Sequence, residues 1–572
     1  MPTSASFAAE LFLGRCRTDL LRMPPGDPRR LEDDEEHFLA RLRTFCAEQV
    51  DSGLIEREDR IPDHVIEGLK DIGAFCVRIP QEYGGLGLSD VCYHRALMIV
   101  STVHSALSEL LAAHQAIGLI QPLRLAGTDA QKKEFLPRCV REISAFALTE
   151  ADIGNDPFRL RTTAVRNREA GTYTLDGVKL WTTNGVIADL IVVMADIPTS
   201  DHGEGGMTAF IVEAGSPGVT VEHRSSFAGL RGLENGVIRL SEVVVPERNR
   251  IGDEGAGLDI ALAAQDTGRL SLPAVCAAAS KWSLKIARQW AGARIQWDRP
   301  IGEHDAVAGK LAFVAATAFA LEAIVEVSAR QADAQIEAEL AKLFASEQAW
   351  LVADELMQLR GGRGYETADS AVARGERGVP VEQVLRDLRI GRIFDGSSEV
   401  LRVFLAQSII DRARSADGSA TTVSSATGPL ADHWSFVAEA AGRLADGFAQ
   451  AAAWHESELA DHQRHLGRLV DIGAELYAMS ASCVYATALP DLGGTPIELA
   501  GAFCSQARHR IAELFSQLSN NTDGPDRQVS RRVLASRYEW LEEGVPDPSV
   551  EGPWIAEPKR GPNVRRAVPA RP

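Results

Sequence analysis

The sequence predicts an α+β multidomain chain: a helical N-terminal domain, a middle β domain of barrel or sandwich type, a four-helix bundle and a further helical domain. Three observations carry this. Between about residues 144 and 250 the hydrophobic period shortens to that of strands, in β-branched runs separated by turn residues. Helical patterns dominate on both sides, rich in Ala and Leu after residue 258. Residues 415–428 are Ser, Thr, Ala and Gly without periodicity, a linker composition, and helical patterns resume beyond them. With 572 residues, 45% of them hydrophobic, the chain has the apolar surface for several buried cores.

Residues 1–30, with Met23-Pro24-Pro25-Gly26-Asp27-Pro28, read as an arm lying on another part of the molecule. Residues 31–143 form the helical N-terminal domain. The acidic run Glu32–Glu36 opens its first helix, and others are expected at about 62–74, 90–126 and 130–142. The glycine-rich turn Ile79–Gly87 sits between helices and is no dinucleotide fingerprint. The β domain spans 144–250, with strands expected at 159–166, 172–176, 190–195, 207–212 and 237–244. Asp176-Gly177, Asp201-His202-Gly203 and Ser216-Pro217-Gly218 read as its turns. The bundle domain covers 251–414, with helices at about 258–294, 305–332 and 336–360. After the linker 415–428 come the additional helical domain, 429–544, and a Pro- and Arg-rich tail, 545–572, expected to be mobile.

The net charge of −19 gives no footing for non-specific nucleic-acid binding, so an anionic ligand must be held by local Arg, Lys and helix termini. Eight scattered cysteines without a CxxC pair fit isolated reduced thiols, and a cytoplasmic location is expected. No signal peptide and no uninterrupted apolar run of membrane-spanning length is read in the sequence. His455, His462 and His465 share a helix face, but the acidic residues among them favour a solvated surface, so no metal site is expected. Gly252–Gly257 has no Lys-Ser or Lys-Thr after it and reads as a connecting turn.

The stretch Arg386–Arg402 carries the chemistry. An apolar segment (Ile390, Ile393, Phe394) runs into Asp395, then into Gly396-Ser397-Ser398 at an expected helix N-terminus with Glu399 in the first turn. A carboxylate beside an apolar wall can act as a base, and a glycine beside it lets a bound group approach the backbone. By itself the stretch also suits a capped helix with a solvated Asp. Two further segments add to it: Phe146-Ala147-Leu148-Thr149-Glu150, leading into Gly154-Asn155-Asp156, and Asp176–Gly185 with Trp181, Thr182 and Thr183. An indole beside hydroxyl groups suits the face of a planar heteroaromatic. Ordinary packing of a β domain would use the same residues.

Together with Gly268-Arg269, Arg294–Gly302 and Gln358–Tyr365, these segments resemble, in order and spacing from about residue 35 to 412, the acyl-CoA dehydrogenase family. The length, the helical block after the linker and the arm containing Ser6-Phe7-Ala8 resemble its very-long-chain branch. The resemblance implies a subunit holding FAD and oxidising a saturated acyl thioester, a medium- to long-chain acyl-CoA, to the trans-2-enoyl thioester. Asp395 would be the base, at a position usually held by Glu, and its backbone N–H would polarise the thioester carbonyl.

The same resemblance implies that Phe146, Leu148, Thr149 and Asn155 line the flavin, that Trp181 packs on it and that Thr183 faces N5. Arg294, Gln296 and Trp297 would meet its diphosphate and adenine side. Gln358, Gly361 and Gly362 would reach the FAD of a neighbouring subunit, and Ser397 and Glu399 would complete the flavin contacts. Asp266, Arg269 and Gly396 would contact the acyl-CoA. It further implies a homodimer, electron-transfer flavoprotein as acceptor, and at most peripheral membrane association. Asp395 is shorter than Glu by one methylene, about 1.5 Å of reach, and Gly268 leaves no replacement base on the long helix. Carrier-protein thioesters as substrates, a non-catalytic scaffold and a flavin monooxygenase on the same fold are alternatives.

Overall fold

A computed structural model describes residues 6–21, 23–199, 205–331, 335–415 and 427–568. Most of the expected linker and the turn Asp201-His202-Gly203 lie outside them.

The N-terminal domain contains α2 (Asp33–Gln49), α3 (Ser52–Glu58), α4 (Asp63–Ile72), α5 (Asp90–Val103), α6 (Ser105–Ala112), α7 (Ile120–Ala126) and α8 (Asp129–Phe135), preceded by a short α1 (Phe7–Phe12) in the arm. Glu35 closes a capping box with Glu32 at the start of α2. Its other oxygen accepts the Ser89 N–H at 2.9 Å, tying α2 to the entry of α5. The continuous helix expected over 90–126 is instead broken. His104 adopts an extended conformation and its ring accepts from the Ala106 N–H, and a π-helical turn, Ala113–Ile117, follows α6. Helix-favouring composition runs through both interruptions, so propensity does not reveal them.

The middle domain is one eight-stranded sheet of β1 (Ser144–Ala147), β2 (Thr163–Asn167), β3 (Thr172–Thr182), β4 (Leu190–Ile197), β5 (Gly206–Glu213), β6 (Val219–Arg224), β7 (Gly236–Pro246) and β8 (Arg250–Ile251). Its order is β6-β7-β3-β2-β4-β5-β8, with β1 parallel to β4. Asp176-Gly177, expected as a turn, lies inside β3 at a register shift against β7. Asp176 accepts the Glu242 N–H there at 2.8 Å, and a side chain at Gly177 would meet Thr162 at 2.3 Å. A bulge and a turn use the same residues, which is why the sequence does not separate them.

The bundle comprises α9 (Gly257–Gly268), α10 (Ser271–Ala293), α11 (Asp305–Ser328), α12 (Gln335–Arg360), the short α13 (Gly362–Tyr365), α14 (Ala368–Ala373) and α15 (Val381–Arg389), and α16 (Ser398–Ser415). The single helix expected over 258–294 turns at Arg269-Leu270. C-terminal to it stand α17 (Ala431–Ala452), α18 (Glu456–Asp461), α19 (Gln463–Ala488), α20 (Thr495–Ser519) and α21 (Asp523–Leu534). Both helical blocks share one core, in which α19 packs on α11, α12 and α16. The arm joins it: Phe12 is buried against Gly473, and the Glu337 carboxylate accepts from Ser6 Oγ at 2.7 Å and the Ala8 N–H at 3.0 Å.

Against the sequence expectation, α11 is long and apolar enough to cross a membrane, but it is mostly buried among α10, α12, α19 and α20. The tail also departs from expectation. Residues 557–568 return to the β domain, where the Val564 N–H donates to Val221 O at 2.7 Å and the Arg566 N–H to Val186 O at 2.8 Å. Arg239 pairs with Glu557 at 2.9 Å. The tail thereby lies along β6, an edge of the sheet, where it takes up the Val221 carbonyl. The described thiols are all buried and unbridged, although Cys483 and Cys504 stand 3.7 Å apart.

Candidate active site

The turn between α15 and α16 places Asp395. Its backbone is left-handed at φ 51°, which Asp tolerates better than most residues, and Gly396 follows at φ 86°. Ser397 O accepts the Leu401 N–H at 2.9 Å as α16 begins. Among the described residues the Asp395 N–H donates to no backbone carbonyl, leaving it available to a ligand. Asp395 is half-buried, with its carboxyl set among densely packed protein groups. Burial pushes its proton affinity above the usual carboxylate range, while Lys342 and Arg269 pull the other way.

Lys342, on α12, is fully buried and donates from Nζ to Gly396 O at 2.5 Å. Arg269, at the turn before α10, pairs with Glu339 at 2.7 Å and is also buried. Glu109 on α6 stands near enough to Asp395 to repel it. Burial, reinforced by repulsion from Asp395, raises its carboxyl to about 8, so at neutral pH it holds a proton. Neither Lys342 nor Glu109 is found by motif reading, although each is a lone charge in an apolar run, Ala341-Lys342-Leu343-Phe344 and Glu109-Leu110-Leu111.

The β domain supplies the other wall. Trp181 stands at the end of β3 with φ 51° and its indole 58% exposed. Asn235 Nδ2 donates to Trp181 O at 2.9 Å and to Thr183 Oγ1 at 3.1 Å, fixing both. Asn184 Nδ2 donates to Leu110 O at 3.0 Å, joining this strand end to the helix that bears Glu109. Phe146, Leu148 and Thr149 are half-buried beside it, and Thr149 O accepts the Leu180 N–H at 2.8 Å. Behind them the buried Lys179 pairs with Glu150 at 2.8 Å. Asn155 Nδ2 reaches Ser397 Oγ at 3.5 Å, bringing that loop to the Asp395 turn, whereas Glu399 is exposed to solvent. An exposed aromatic face fixed in a costly backbone conformation, next to an oriented hydroxyl group, fits a planar heteroaromatic ring.

The remaining expected residues stand elsewhere. Arg294, Gln296 and Trp297 belong to a hairpin after α10, in which Ile295–Gln296 pairs with Arg299–Pro300 and Trp297 is 81% exposed. Gln358, Gly361 and Gly362 lie nearby, since Trp290 Nε1 on α10 donates to Leu359 O at 2.9 Å. Along α12, Gln358 is on the order of 25 Å from Lys342 at 1.5 Å per residue. One chain therefore carries two separate sets. The side chain of Asp266 lies outside the described residues. Two of the three histidines, His462 and His465, pack against the Trp454 indole, and among the described residues no cluster could hold a metal ion.

The sequence and fold that carry these residues are matched by known proteins. Residues 32–142, 145–243 and 255–410 match the N-terminal, middle and C-terminal domains of acyl-CoA dehydrogenases. The chain is 49% identical to a probable acyl-CoA dehydrogenase, FadE10, of Mycobacterium tuberculosis, over 98% of this chain and 93% of that one. It is 33% identical to the human mitochondrial very long-chain specific acyl-CoA dehydrogenase, over 73% of this chain and 64% of that one. The crystal structure of a Bacillus anthracis acyl-CoA dehydrogenase complexed with FAD superposes with a TM-score of 0.78 at 25% identity, covering 92% of this chain and 94% of the other. The chain belongs to the acyl-CoA dehydrogenase family.

Proposed function

We propose that the protein binds FAD and removes two hydrogens from the α and β carbons of a medium- to long-chain saturated acyl-CoA, with Asp395 as the base. The observation that supports it best is Asp395 itself: a half-buried carboxyl group with raised proton affinity, whose backbone N–H donates to no backbone carbonyl among the described residues. The α C–H of a thioester is a weak acid. Asp395 accepts that proton while its own N–H stabilises the charge developing on the carbonyl oxygen. Bound FAD supplies the acceptor for the β hydride. Trp181, Thr183, Phe146, Leu148, Thr149, Asn155 and Ser397 would hold it, and Arg269 and Gly396 would meet the acyl thioester.

The second set, Arg294, Gln296, Trp297, Gln358, Gly361 and Gly362, is best explained as serving the site of another subunit, which supports a homodimer. Electron-transfer flavoprotein is the acceptor proposed, and the buried free thiols support a reducing, cytoplasmic setting. The test is an anaerobic titration of FAD-loaded protein with acyl-CoAs of graded length, following the visible flavin band, beside the Asp395→Asn variant. Bleaching by one length class in the parent and none in the variant is expected. A yellow protein that only carrier-protein thioesters bleach would move the substrate, and a variant reduced at the parent's rate would remove Asp395 from the role of base.

A further inference from the structure

Lysine is strongly hydrated, and a fully buried lysine needs a compensating partner. Lys342 is 0% exposed, in the middle of an Ala- and Leu-rich helix. Its Nζ donates at 2.5 Å to the carbonyl of Gly396, the residue after Asp395. Two consecutive left-handed residues, Asp395 and Gly396, form the turn at that point. A non-glycine residue in that region persists only where its surroundings hold it. The groups facing Asp395 are Lys342 from α12, Arg269 from the turn before α10 and Glu109 from α6. Arg269 is engaged by Glu339, and Glu109 is protonated at neutral pH. Cys276 on α10 and Tyr93 on α5 stand around Glu109 and Lys342, both held neutral by burial.

We propose that Lys342 is a positioning residue for the base, seating the Asp395–Gly396 turn through the Gly396 carbonyl and setting a positive charge against the Asp395 carboxylate. The proposal rests on the reading of Asp395 as the base. It also supplies a reason why an acid one methylene shorter than Glu can serve here: the turn that carries it is fastened from below rather than left to the loop. The charge works in the same direction as the hydrogen bond. A cation beside the carboxylate opposes the effect of burial and keeps the base available at lower pH. Burial brings the Lys342 ammonium down to about 8, so this influence operates at neutral pH and fades above that value.

The test isolates proton abstraction. 3,3-Dimethylbutyryl-CoA has α hydrogens and no β hydrogen, so it can exchange hydrogen for deuterium from D2O but cannot be oxidised. Exchange by FAD-loaded parent, Lys342→Met and Lys342→Gln is followed against pH. Both variants are expected to show the acid limb moved up by about one pH unit or more. Exchange on the acid side of the parent's limb should fall roughly tenfold, with most of it recovered at alkaline pH. The glutamine variant retains a donor for the Gly396 carbonyl without the charge, and it carries the expectation if the methionine variant does not fold. A uniform loss at every pH with an unmoved limb means that Lys342 only supports the structure, and overturns the proposal. Asp395→Asn separates the two readings: if it exchanges like the parent, Asp395 is not the base. A dead Asp395→Asn protein beside unmoved Lys342 variants overturns the role of Lys342 alone.

Discussion

Glu150 and Lys179 form a buried ion pair at 2.8 Å behind the strand ends that carry Leu148, Thr149 and Trp181, with the Thr162 hydroxyl donating to the same carboxylate at 2.6 Å. The carboxylate also accepts the N–H groups of Arg161 and Thr162, so one side chain gathers β1, the following loop and β3. Burial lowers the Lys179 ammonium to about 8 even with its partner in place. Removing one member leaves the other uncompensated. Glu150→Ala is expected to lower stability by about 3–5 kcal/mol in chemical denaturation and to reduce FAD retention on gel filtration, because the wall holding Trp181 loses its backing.

The pH dependence of flavin reduction follows from the Asp395 carboxyl. In its proposed role as base Asp395 works only when ionised, and burial raises its proton affinity. The rate should therefore rise with pH through a value above the ordinary aspartate range, then level off. Stopped-flow bleaching with saturating acyl-CoA at graded pH gives the curve, and a midpoint at or below that range would show that Asp395 is better solvated than the turn implies.

Glu109 makes a separate prediction about stability. Its proton affinity is raised on folding, so its stabilising contribution is complete below the ordinary glutamate value and is lost as pH rises through about 8. Glu109→Gln has no such loss. The variant's denaturation midpoint, measured against the parent's, should climb as pH increases across this window, and a difference independent of pH would mean that Glu109 is charged throughout.

Truncation after Ala556 removes the segment that covers β6. The bonds lost include Val564 N–H to Val221 O and Arg566 N–H to Val186 O, together with the Arg239–Glu557 pair. A destabilisation of about 2–5 kcal/mol is expected, with limited proteolysis opening the β domain before the helical core. Unchanged stability and protection would show that the tail adds nothing to the edge it lies on.

Much of this architecture is written in hydrophobic period. The change near Ser144 marks the β domain, while Asp395-Gly396-Ser397 read alone suits an ordinary capped helix and gains meaning only beside the Trp181 and Arg269 segments. The parts that escape are those with no local signature. His104 and Arg269 interrupt helices whose composition runs on unbroken, and each is held by tertiary partners, Glu56 at 3.6 Å and Glu339 at 2.7 Å. The tail reaches the β domain through backbone bonds and scattered polar side chains such as Asn563 and Glu557, which form no periodic pattern. Lys342 and Glu109 become site residues only when α12 and α6 are brought to the same turn from opposite sides.

The path of the tail also bears on how the chain is made. His223 on β6 meets the carbonyl of Lys559, 336 residues further along. At about 5–20 residues per second of synthesis, that edge of the sheet emerges on the order of half a minute before its cover exists. The nascent β domain thus leaves the ribosome with one side open to other strands, and the clasp that shuts it follows 336 residues later.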